Sequence, residues 1–229
     1  MSTHLVTGAG AGIGERVARR LATRGDQLVL LARSAGRAKE LAADFPGART
    51  LVADLAEPLD LAAALAGLVP ERLDSLIHVA GTVDLAPVAE LSAQVWRRTL
   101  DVNLVAPAEL TRLCLPALRA ARGHVLFVNS GSGLRANPQW SSYSASKHGL
   151  RALADALRGE EREHGVRVTS VYPGRTATGM QAKVHEQEGK EYDPSDWVDP
   201  DSVATTVLMA LDLPRDAEVT DLRVNPAPR

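Results

Sequence analysis

Short, continuous apolar runs alternate along this chain with longer segments of helical periodicity. Seven runs have the length and composition of buried strands: residues 4–7, 27–32, 50–53, 76–79, 125–128, 166–172 and 219–224. The helical segments are residues 13–24, 34–45, 59–68, 92–121, 142–164 and 202–213. Strands that are apolar throughout are usually buried on both faces, as in a parallel sheet covered by helices. The pattern predicts an α/β fold, a doubly wound sheet of seven mainly parallel strands with helices on both faces.

The domain organisation follows from length and from one change in composition. A chain of 229 residues fits one domain, which we predict over residues 1–229. Residues 181–199 are unusually polar and rich in turn formers, and they follow the sixth predicted strand. Open α/β sheets bind ligands beyond the carboxyl ends of their strands. We therefore predict a small substrate lid at residues 176–199, the alternative being a solvated loop.

Charge and apolar content exclude several classes of partner. The formal net charge is -2, so no basic excess favours nucleic acid or a membrane surface. No run approaches the roughly 20 apolar residues that cross a bilayer, and the first residues lack the pattern of a signal peptide. The single cysteine, Cys114, excludes an internal disulfide and a multi-cysteine metal cluster. We expect a cytoplasmic protein that has no metal site and binds neither nucleic acid nor membrane.

A glycine-rich turn joins the first predicted strand to the first predicted helix. Glycines allow a tight turn and let a pyrophosphate approach the helix N-terminus, where free N–H groups and the helix dipole hold an anion. A P-loop needs Lys and Ser or Thr after its last glycine, but Glu15 and Arg16 stand there. The turn therefore predicts nucleotide binding without the features of an ATPase. Its expected cofactor contacts are Gly8, Gly10, Ala11, Gly12, Ile13 and Gly14.

The end of the second strand indicates which dinucleotide binds. An acidic residue at this place would bond the ribose hydroxyls of NAD, but Arg33 and Ser34 follow the strand instead. A guanidinium is suited to a 2′-phosphate. We predict that NADP(H) is preferred over NAD(H), with Arg33 and Ser34 as contacts. The alternative is an ordinary exposed arginine near a helix start.

Tyr143 and Lys147 lie four residues apart in a predicted helix, so their side chains share one face. A tyrosine has a pKa of about 10 in water, which makes it a weak acid–base catalyst near neutrality. A neighbouring ammonium favours the phenolate and lowers that pKa. The pair predicts a tyrosine that gives a proton to a carbonyl oxygen or takes one from an alcohol.

Together these elements resemble the short-chain dehydrogenase/reductase family over essentially the whole chain. The family's serine, thirteen residues before the tyrosine, matches Ser130, with Ser132 as a less well spaced rival. One departure is His78, where the family usually has asparagine, and a core role is expected for it. The other matches are the glycine turn from Thr7 to Gly14, Asp54, Ala80-Gly81, Asn103, the Tyr143–Lys147 pair, Pro173-Gly174, Thr176 and Thr178.

The resemblance implies a Rossmann fold and a hydride-transferring oxidoreductase acting on a carbonyl or alcohol. Ser130 would polarise the substrate oxygen, and Tyr143 would be the general acid or base. Lys147 would lower the pKa of Tyr143 and bind the nicotinamide ribose, while Asn103 would hold a relay water. Further implied cofactor contacts are Asp54, Leu55, Ala80, Gly81, Tyr143, Lys147, Pro173, Gly174, Thr176 and Thr178. A homodimer or homotetramer is also implied.

The substrate and some alternatives stay open at this point. The polar lid favours a small or moderately polar carbonyl compound over a large apolar one. A 3-oxoacyl thioester reductase is the main rival within the class. A non-catalytic NADP(H)-binding regulator is the rival outside it, although such a regulator has no need of Ser130, Tyr143 and Lys147 together. Relatives that act on sugar nucleotides resemble longer chains with a larger C-terminal substrate domain.

Overall fold

The computed structural model describes residues 1–227, whose strands form a seven-stranded sheet. The strands are β1 (Thr3–Thr7), β2 (Gln27–Ala32), β3 (Arg49–Val52), β4 (Ser75–His78), β5 (His124–Val128), β6 (Arg167–Pro173) and β7 (Asp221–Val224). They run in the order β3-β2-β1-β4-β5-β6-β7, and every neighbouring pair is parallel. The predicted fold class is confirmed, and each predicted strand overlaps an observed one.

Helices cover both faces of this sheet. They are α1 (Gly12–Thr23), α2 (Ala35–Asp44), α3 (Leu61–Ala64), α4 (Ala93–Leu100), α5 (Ala106–Ala121), α6 (Ser141–Glu161), α7 (Gly179–Glu188) and α8 (Pro200–Asp212). Successive strand residues enter different cores: Leu5 packs in the core that contains α5 and α6, and Val6 packs in the core that contains α1 and α8. This alternation explains why the strands in the middle of the sheet are mostly apolar. Within residues 1–227, no helix combines the length and apolar character needed to cross a membrane.

The predicted helix at residues 92–121 is interrupted in the middle. The segment Asp101–Val105 forms a π-helical turn between α4 and α5. Inside this turn, Asn103 is buried and bonds both backbone groups of Thr82. A π turn inside a helix often marks a functional site, and here it brings Asn103 towards the loop after β4.

The lid segment contains a helix that its composition did not predict. The helix α7 begins where Thr178 accepts a hydrogen bond from the Gln181 backbone nitrogen at 3.3 Å. It ends at Gly189, which adopts a left-handed conformation with φ 65°. A capping threonine and a terminal glycine are strong local helix signals. The predicted helix at residues 59–68, by contrast, shortens to α3 and the preceding 3-10 turn Pro58–Asp60.

Two buried histidines make the stability of this fold depend on pH. His78 bonds the Thr111 hydroxyl at 3.0 Å and stacks on Phe127, which confirms a core role. His124 bonds the Thr169 hydroxyl at 2.8 Å. Burial lowers the pKa of each histidine to about 3. Below pH 6.5 the unfolded chain therefore binds protons that the folded chain excludes, so unfolding is favoured as pH falls towards 3.

We expect the free energy of unfolding to fall by about 2 kcal/mol between pH 6.5 and 5.5 from these two histidines, before most carboxylates titrate. Urea denaturation at several pH values measures this change. The variant His78→Asn should lose the share of His78 in this change, about 1 kcal/mol, whatever its stability at pH 7. A wild-type stability that is flat over this pH range would show that the pKa values of these histidines are not lowered in the folded protein.

Candidate active site

A cavity of about 630 Å³ opens at the carboxyl ends of the central strands. It lies where the strand order reverses between β1 and β4, the usual ligand site of an open α/β sheet. Most of the predicted cofactor contacts line it: Gly8, Ala11, Gly12, Ile13, Ala80, Gly81, Tyr143, Lys147, Pro173, Gly174, Thr176 and Thr178. The structure thus brings together residues that are far apart in the sequence.

The glycine turn is packed too tightly for side chains at two positions. A Cβ on Gly14 would lie 2.1 Å from the Gly8 carbonyl oxygen, and one on Gly8 would lie 2.8 Å from the Ala80 nitrogen. The Thr7 hydroxyl accepts hydrogen bonds from the backbone nitrogens of Val79 and Ala80 at 3.0 and 3.1 Å. These contacts hold the ends of β1 and β4 together and shape one end of the cavity.

The N-terminus of α1 lacks the side-chain cap that several other helices have. Its cap residue, Ala11, makes no side-chain hydrogen bond, whereas α2, α4, α7 and α8 are capped by Ser34, Ser92, Thr178 and Asp199. Uncapped backbone N–H groups and the positive end of the helix dipole form a binding site for phosphate. Ala11, Gly12 and Ile13 border the cavity at this point, so these residues fit the pyrophosphate of a dinucleotide.

The predicted contacts at the end of β2 lie outside the cavity lining. Arg33 is exposed, and the Ser34 hydroxyl caps α2 by accepting from the Arg37 nitrogen. Arg37, which the sequence analysis missed, donates to the Gly10 carbonyl oxygen at 2.6 Å. Its position one turn after the Ser34 cap is the sequence feature that could have indicated this role. Arg37 therefore places a basic side chain beside the glycine turn.

Four other predicted cofactor contacts do not line the cavity either. The Gly10 carbonyl is engaged by Arg37, and Gly14 is buried beneath the turn. Asp54 is exposed and accepts a hydrogen bond from the Ala56 nitrogen at 2.9 Å, while Leu55 packs partly buried against the core. For Asp54 and Leu55, a contact with adenine remains a prediction of the sequence.

Ser130, Tyr143 and Lys147 line the other part of the cavity. Ser130 follows β5, and Tyr143 and Lys147 lie one turn apart on α6. The Lys147 ammonium lies 5.8 Å from the centre of the Tyr143 ring and donates to the Val128 carbonyl at 3.0 Å. The Ser130 hydroxyl accepts from the Ser132 nitrogen at 3.1 Å, so Ser132 supports Ser130 through its backbone.

The electrostatics of this group differ from the prediction in one respect. Burial raises the pKa of Tyr143, and hydrogen bonding by Ser130 acts in the opposite direction. Burial also lowers the pKa of Lys147 to about 8. The net shift is opposite to the predicted one, because desolvation of the phenol outweighs the effect of an ammonium that bonds the Val128 carbonyl. A phenol with a raised pKa is protonated at neutral pH but is a weaker acid, so proton donation by Tyr143 needs a group that stabilises the phenolate.

Asn103 braces the site from behind and does not line the cavity. Its side-chain nitrogen donates to the Thr82 carbonyl at 2.9 Å and to the Ser146 hydroxyl at 3.0 Å. The Ser146 hydroxyl in turn donates to the Tyr143 carbonyl at 2.7 Å. Asn103 thus connects the loop after β4 to the helix that carries Tyr143 and Lys147. The water-holding role implied for Asn103 remains a prediction.

Asn129 is a second bracing residue, which the sequence analysis missed although it precedes Ser130. Its side chain donates to the Lys147 carbonyl at 3.1 Å and accepts from the Ser130 nitrogen at 2.9 Å. A Cβ on Gly133 would lie 2.5 Å from its side-chain oxygen. Asn129 therefore fixes Ser130 relative to the turn of α6 that holds Lys147.

The part of the cavity wall that the lid contributes is more apolar than the lid composition indicates. Val83, Tyr143 and Val184 form a small buried cluster with Trp140 packed against it. The residues of α7 that line the cavity are Gly179, Met180, Gln181 and Val184. The polar residues on which the prediction of a moderately polar substrate rests point elsewhere; Lys183, for example, bonds Asp84 at 2.6 Å.

Arg175 attaches the lid to the rest of the site, a role that the sequence analysis missed. Its guanidinium makes two hydrogen bonds to Glu188, at 3.0 and 2.5 Å. The same group lies 5.9 Å from the Trp140 ring centre and 5.3 Å from that of Trp197. The Arg175 side chain therefore contacts Trp140 at the beginning of α6 and both Glu188 and Trp197, which lie near the two ends of residues 188–198.

This chain is similar to known proteins over most of its length. A family model described as short chain dehydrogenase matches residues 2–189. An uncharacterized short-chain type dehydrogenase/reductase of Sinorhizobium fredii is 33% identical over 227 residues, 97% of this chain and 90% of that protein.

Two solved structures are similar along their whole length. The alcohol dehydrogenase of the archaeon Thermococcus sibiricus, complexed with 5-hydroxy-NADP, has a TM-score of 0.84 and 26% identity and covers 99% of this chain and 97% of its own. An actinorhodin polyketide ketoreductase with NADPH has a TM-score of 0.87 and 26% identity, covering 98% and 96%. The likeness extends from the glycine turn through the lid.

Proposed function

Because this chain belongs to the short-chain dehydrogenase/reductase family and is an oxidoreductase, we propose that it transfers a hydride between NADP(H) and a carbonyl/alcohol pair. Tyr143 is the general acid or base of this reaction. The observation that carries the proposal is a single cavity with an uncapped, glycine-lined helix N-terminus at one part and Ser130, Tyr143 and Lys147 at another.

The dinucleotide, when bound, supplies or accepts the hydride. Ser130 donates a hydrogen bond to the substrate oxygen, and the neutral Tyr143 phenol gives that oxygen its proton during reduction. The Lys147 ammonium then stabilises the phenolate that remains. In the oxidation direction the same tyrosine takes the proton from the alcohol. Asn103 and Asn129 keep these groups in register by the hydrogen bonds described above.

The other predicted cofactor contacts would bind separate parts of the dinucleotide. The turn from Gly8 to Gly14 holds the pyrophosphate, and Asp54 with Leu55 borders the adenine. Lys147 also binds the nicotinamide ribose. The segment after β6 would hold the carboxamide end through Pro173, Gly174, Thr176 and Thr178. Residues 176–199 act as the lid that excludes water from the reacting atoms.

Arg33 and Arg37 would hold the 2′-phosphate, which is the basis of the proposed NADP(H) preference. We expect Arg33→Ala to weaken NADPH binding by about 10- to 100-fold, the range of a lost charge-assisted hydrogen bond. Binding of NADH should change less than about threefold, because NADH has no 2′-phosphate. Fluorescence titration of both cofactors measures the two affinities.

The variant Arg49→Ala is the matched control for this prediction. Arg49 is exposed and begins β3, so it stands at the opposite end of the sheet from the site. Its removal makes the same change in net charge and should leave both affinities unaltered. Equal losses for NADPH and NADH in Arg33→Ala would contradict the assignment of the 2′-phosphate site.

A panel of aldehydes, ketones, quinones and 3-oxoacyl thioesters tests the proposed reaction, followed by nicotinamide absorbance with NADPH and NADH in parallel. We expect turnover that favours NADPH. Tight NADPH binding without turnover on any compound would favour the non-catalytic regulator. The likeness to a polyketide ketoreductase supports the thioester reductase as the second candidate, and turnover confined to thioesters would establish it.

The proposal also includes two properties predicted from the sequence. We propose that the protein is a homodimer or homotetramer, which light scattering measures directly. We also propose that it works in the cytoplasm, where NADP(H) is available and Cys114 stays reduced. The Cys114 thiol is buried in α5, and burial raises its pKa to about 12, so this thiol has no catalytic role in the proposal.

A further inference from the structure

Gln181 is a buried polar side chain on the otherwise apolar lid wall of the cavity. It is 6% exposed and borders the cavity together with Gly179, Met180 and Val184 of α7. One turn later on the same helix face, Val184 packs with Val83 and Tyr143. Burial of an amide is costly unless its hydrogen bonds are made, so the Gln181 side chain is expected to have hydrogen-bond partners.

His185 supplies one partner and thereby orients the amide. Its Nδ1 atom lies 2.9 Å from the Gln181 backbone carbonyl oxygen and 3.0 Å from the Gln181 side-chain nitrogen Nε2. The carbonyl oxygen can only accept, so Nδ1 carries a proton and donates. Two N–H donors cannot bond each other, and the oxygen and nitrogen of an amide are told apart only by their hydrogen bonds, so we turn the amide over and place its oxygen towards Nδ1.

This assignment leaves the amide NH2 group facing away from His185. Within residues 1–227, no protein acceptor bonds the second amide atom of Gln181. The His185 ring cannot turn freely to offer the other arrangement, because it is 3% exposed and packs 5.2 Å from both the Tyr192 and Trp197 rings. Gln181 is therefore held as a hydrogen-bond donor to the cavity.

We propose that Gln181, oriented by His185, determines substrate specificity by donating to a hydrogen-bond acceptor on the substrate near the reacting carbonyl. The apolar neighbours Val83, Met180 and Val184 would contact the rest of the molecule. The substrate class is thus a carbonyl compound with an apolar body and a second acceptor, such as a 3-oxo ester or thioester. This inference rests on the proposed function, because it names the substrate of the same site.

Two ketones of equal chain length test the inference: ethyl 3-oxobutanoate, which carries an ester acceptor, and 2-heptanone, which has methylenes in its place. The readout is the ratio of kcat/KM for the two compounds, compared between wild type and variants, so that their different intrinsic reactivities cancel. Gln181→Met keeps the size and removes the donor, and Gln181→Glu offers only acceptors. His185→Phe keeps the packing against Tyr192 and Trp197 but frees the amide.

We expect the preference for the ester to fall about 10-fold in Gln181→Met, as for one lost hydrogen bond. The preference for the ester should fall by more than this in Gln181→Glu and by less in His185→Phe. Turnover of 2-heptanone should be nearly unchanged in all three variants. Equal losses for both ketones would show a structural role only and overturn the inference while leaving the reductase intact.

Calorimetric binding of the ester to the NADP-loaded protein gives a second readout that does not depend on turnover. We expect the ester to bind the wild-type protein and the Gln181→Met variant to bind it more weakly. If the ester does not bind, or binds wild type and Gln181→Met equally, the specificity role is overturned even where no ketone is reduced. Absence of turnover together with Gln181-dependent binding would instead contradict the proposed reaction and support the binding role.

Discussion

Replacing Tyr143 by phenylalanine is expected to lower kcat for carbonyl reduction by about 1,000-fold, within the usual range for loss of a general acid. The variant removes one oxygen and leaves the ring that packs with Val83 and Val184. Because the pKa of this buried phenol is raised, it is protonated at neutral pH and its loss removes the proton donor. Initial rates with saturating NADPH measure the effect.

Two controls make this result specific to the hydroxyl group. Affinity for NADPH should stay within about twofold, because phenylalanine retains the ring and the carbonyl that accepts from Ser146. The matched variant Tyr192→Phe changes a lid tyrosine outside the cavity lining and should keep full turnover. Near-wild-type activity of Tyr143→Phe would remove Tyr143 from the proton-transfer role.

Adding a single methyl group to the glycine turn is expected to have an effect of similar size. In Gly14→Ala the new Cβ would lie 2.1 Å from the Gly8 carbonyl oxygen, a backbone atom that can move only if the turn moves. Overpacking of this kind costs about 3 kcal/mol of unfolding free energy. A displaced turn also misplaces the α1 N–H groups, so we expect NADPH affinity to fall about 100-fold.

Gly159→Ala is the opposite case within the same chain. Gly159 lies in α6, is exposed, and a Cβ there would meet nothing within 4 Å. Alanine should stabilise this helix by about 0.5–1 kcal/mol and leave NADPH affinity unchanged. Urea denaturation and cofactor titration of both variants decide the matter. A Gly14→Ala protein as stable and as tight-binding as wild type would contradict the packing argument.

The sequence was sufficient to predict the sheet because its signals are local and repeated. The strands in the middle of the sheet are mostly apolar runs, and burial on both faces permits little else, whereas the edge strands β3 and β7 are partly exposed. The interruption of the long helix at Asp101–Val105 was not predictable, because it depends on bonds between Asn103 and Thr82 that form only in the folded chain. The helix α7 was missed because its polar composition resembles a loop, although its two capping signals were present.

The site residues that belong to short sequence motifs were predictable. Ser130, Tyr143 and Lys147 line one cavity, as the family resemblance implies. Gln181, Arg175 and Asn129 belong to no such motif, and their roles depend on partners distant in sequence or on a buried environment. The sign of the Tyr143 pKa shift was wrong for the same reason, since desolvation depends on the packed neighbours rather than on the spacing to Lys147.

Transfer of deuterium from NADPH that carries deuterium at both nicotinamide C4 positions is the most direct test of the proposed reaction. We predict that mass spectrometry finds one deuterium per turnover on the carbinol carbon of the product alcohol. The proton on its oxygen, which we propose comes from Tyr143, exchanges with water, so a reaction in deuterated water with unlabelled NADPH should leave that carbon unlabelled. Label from water on the carbon, or none from NADPH, would contradict direct hydride transfer in this site.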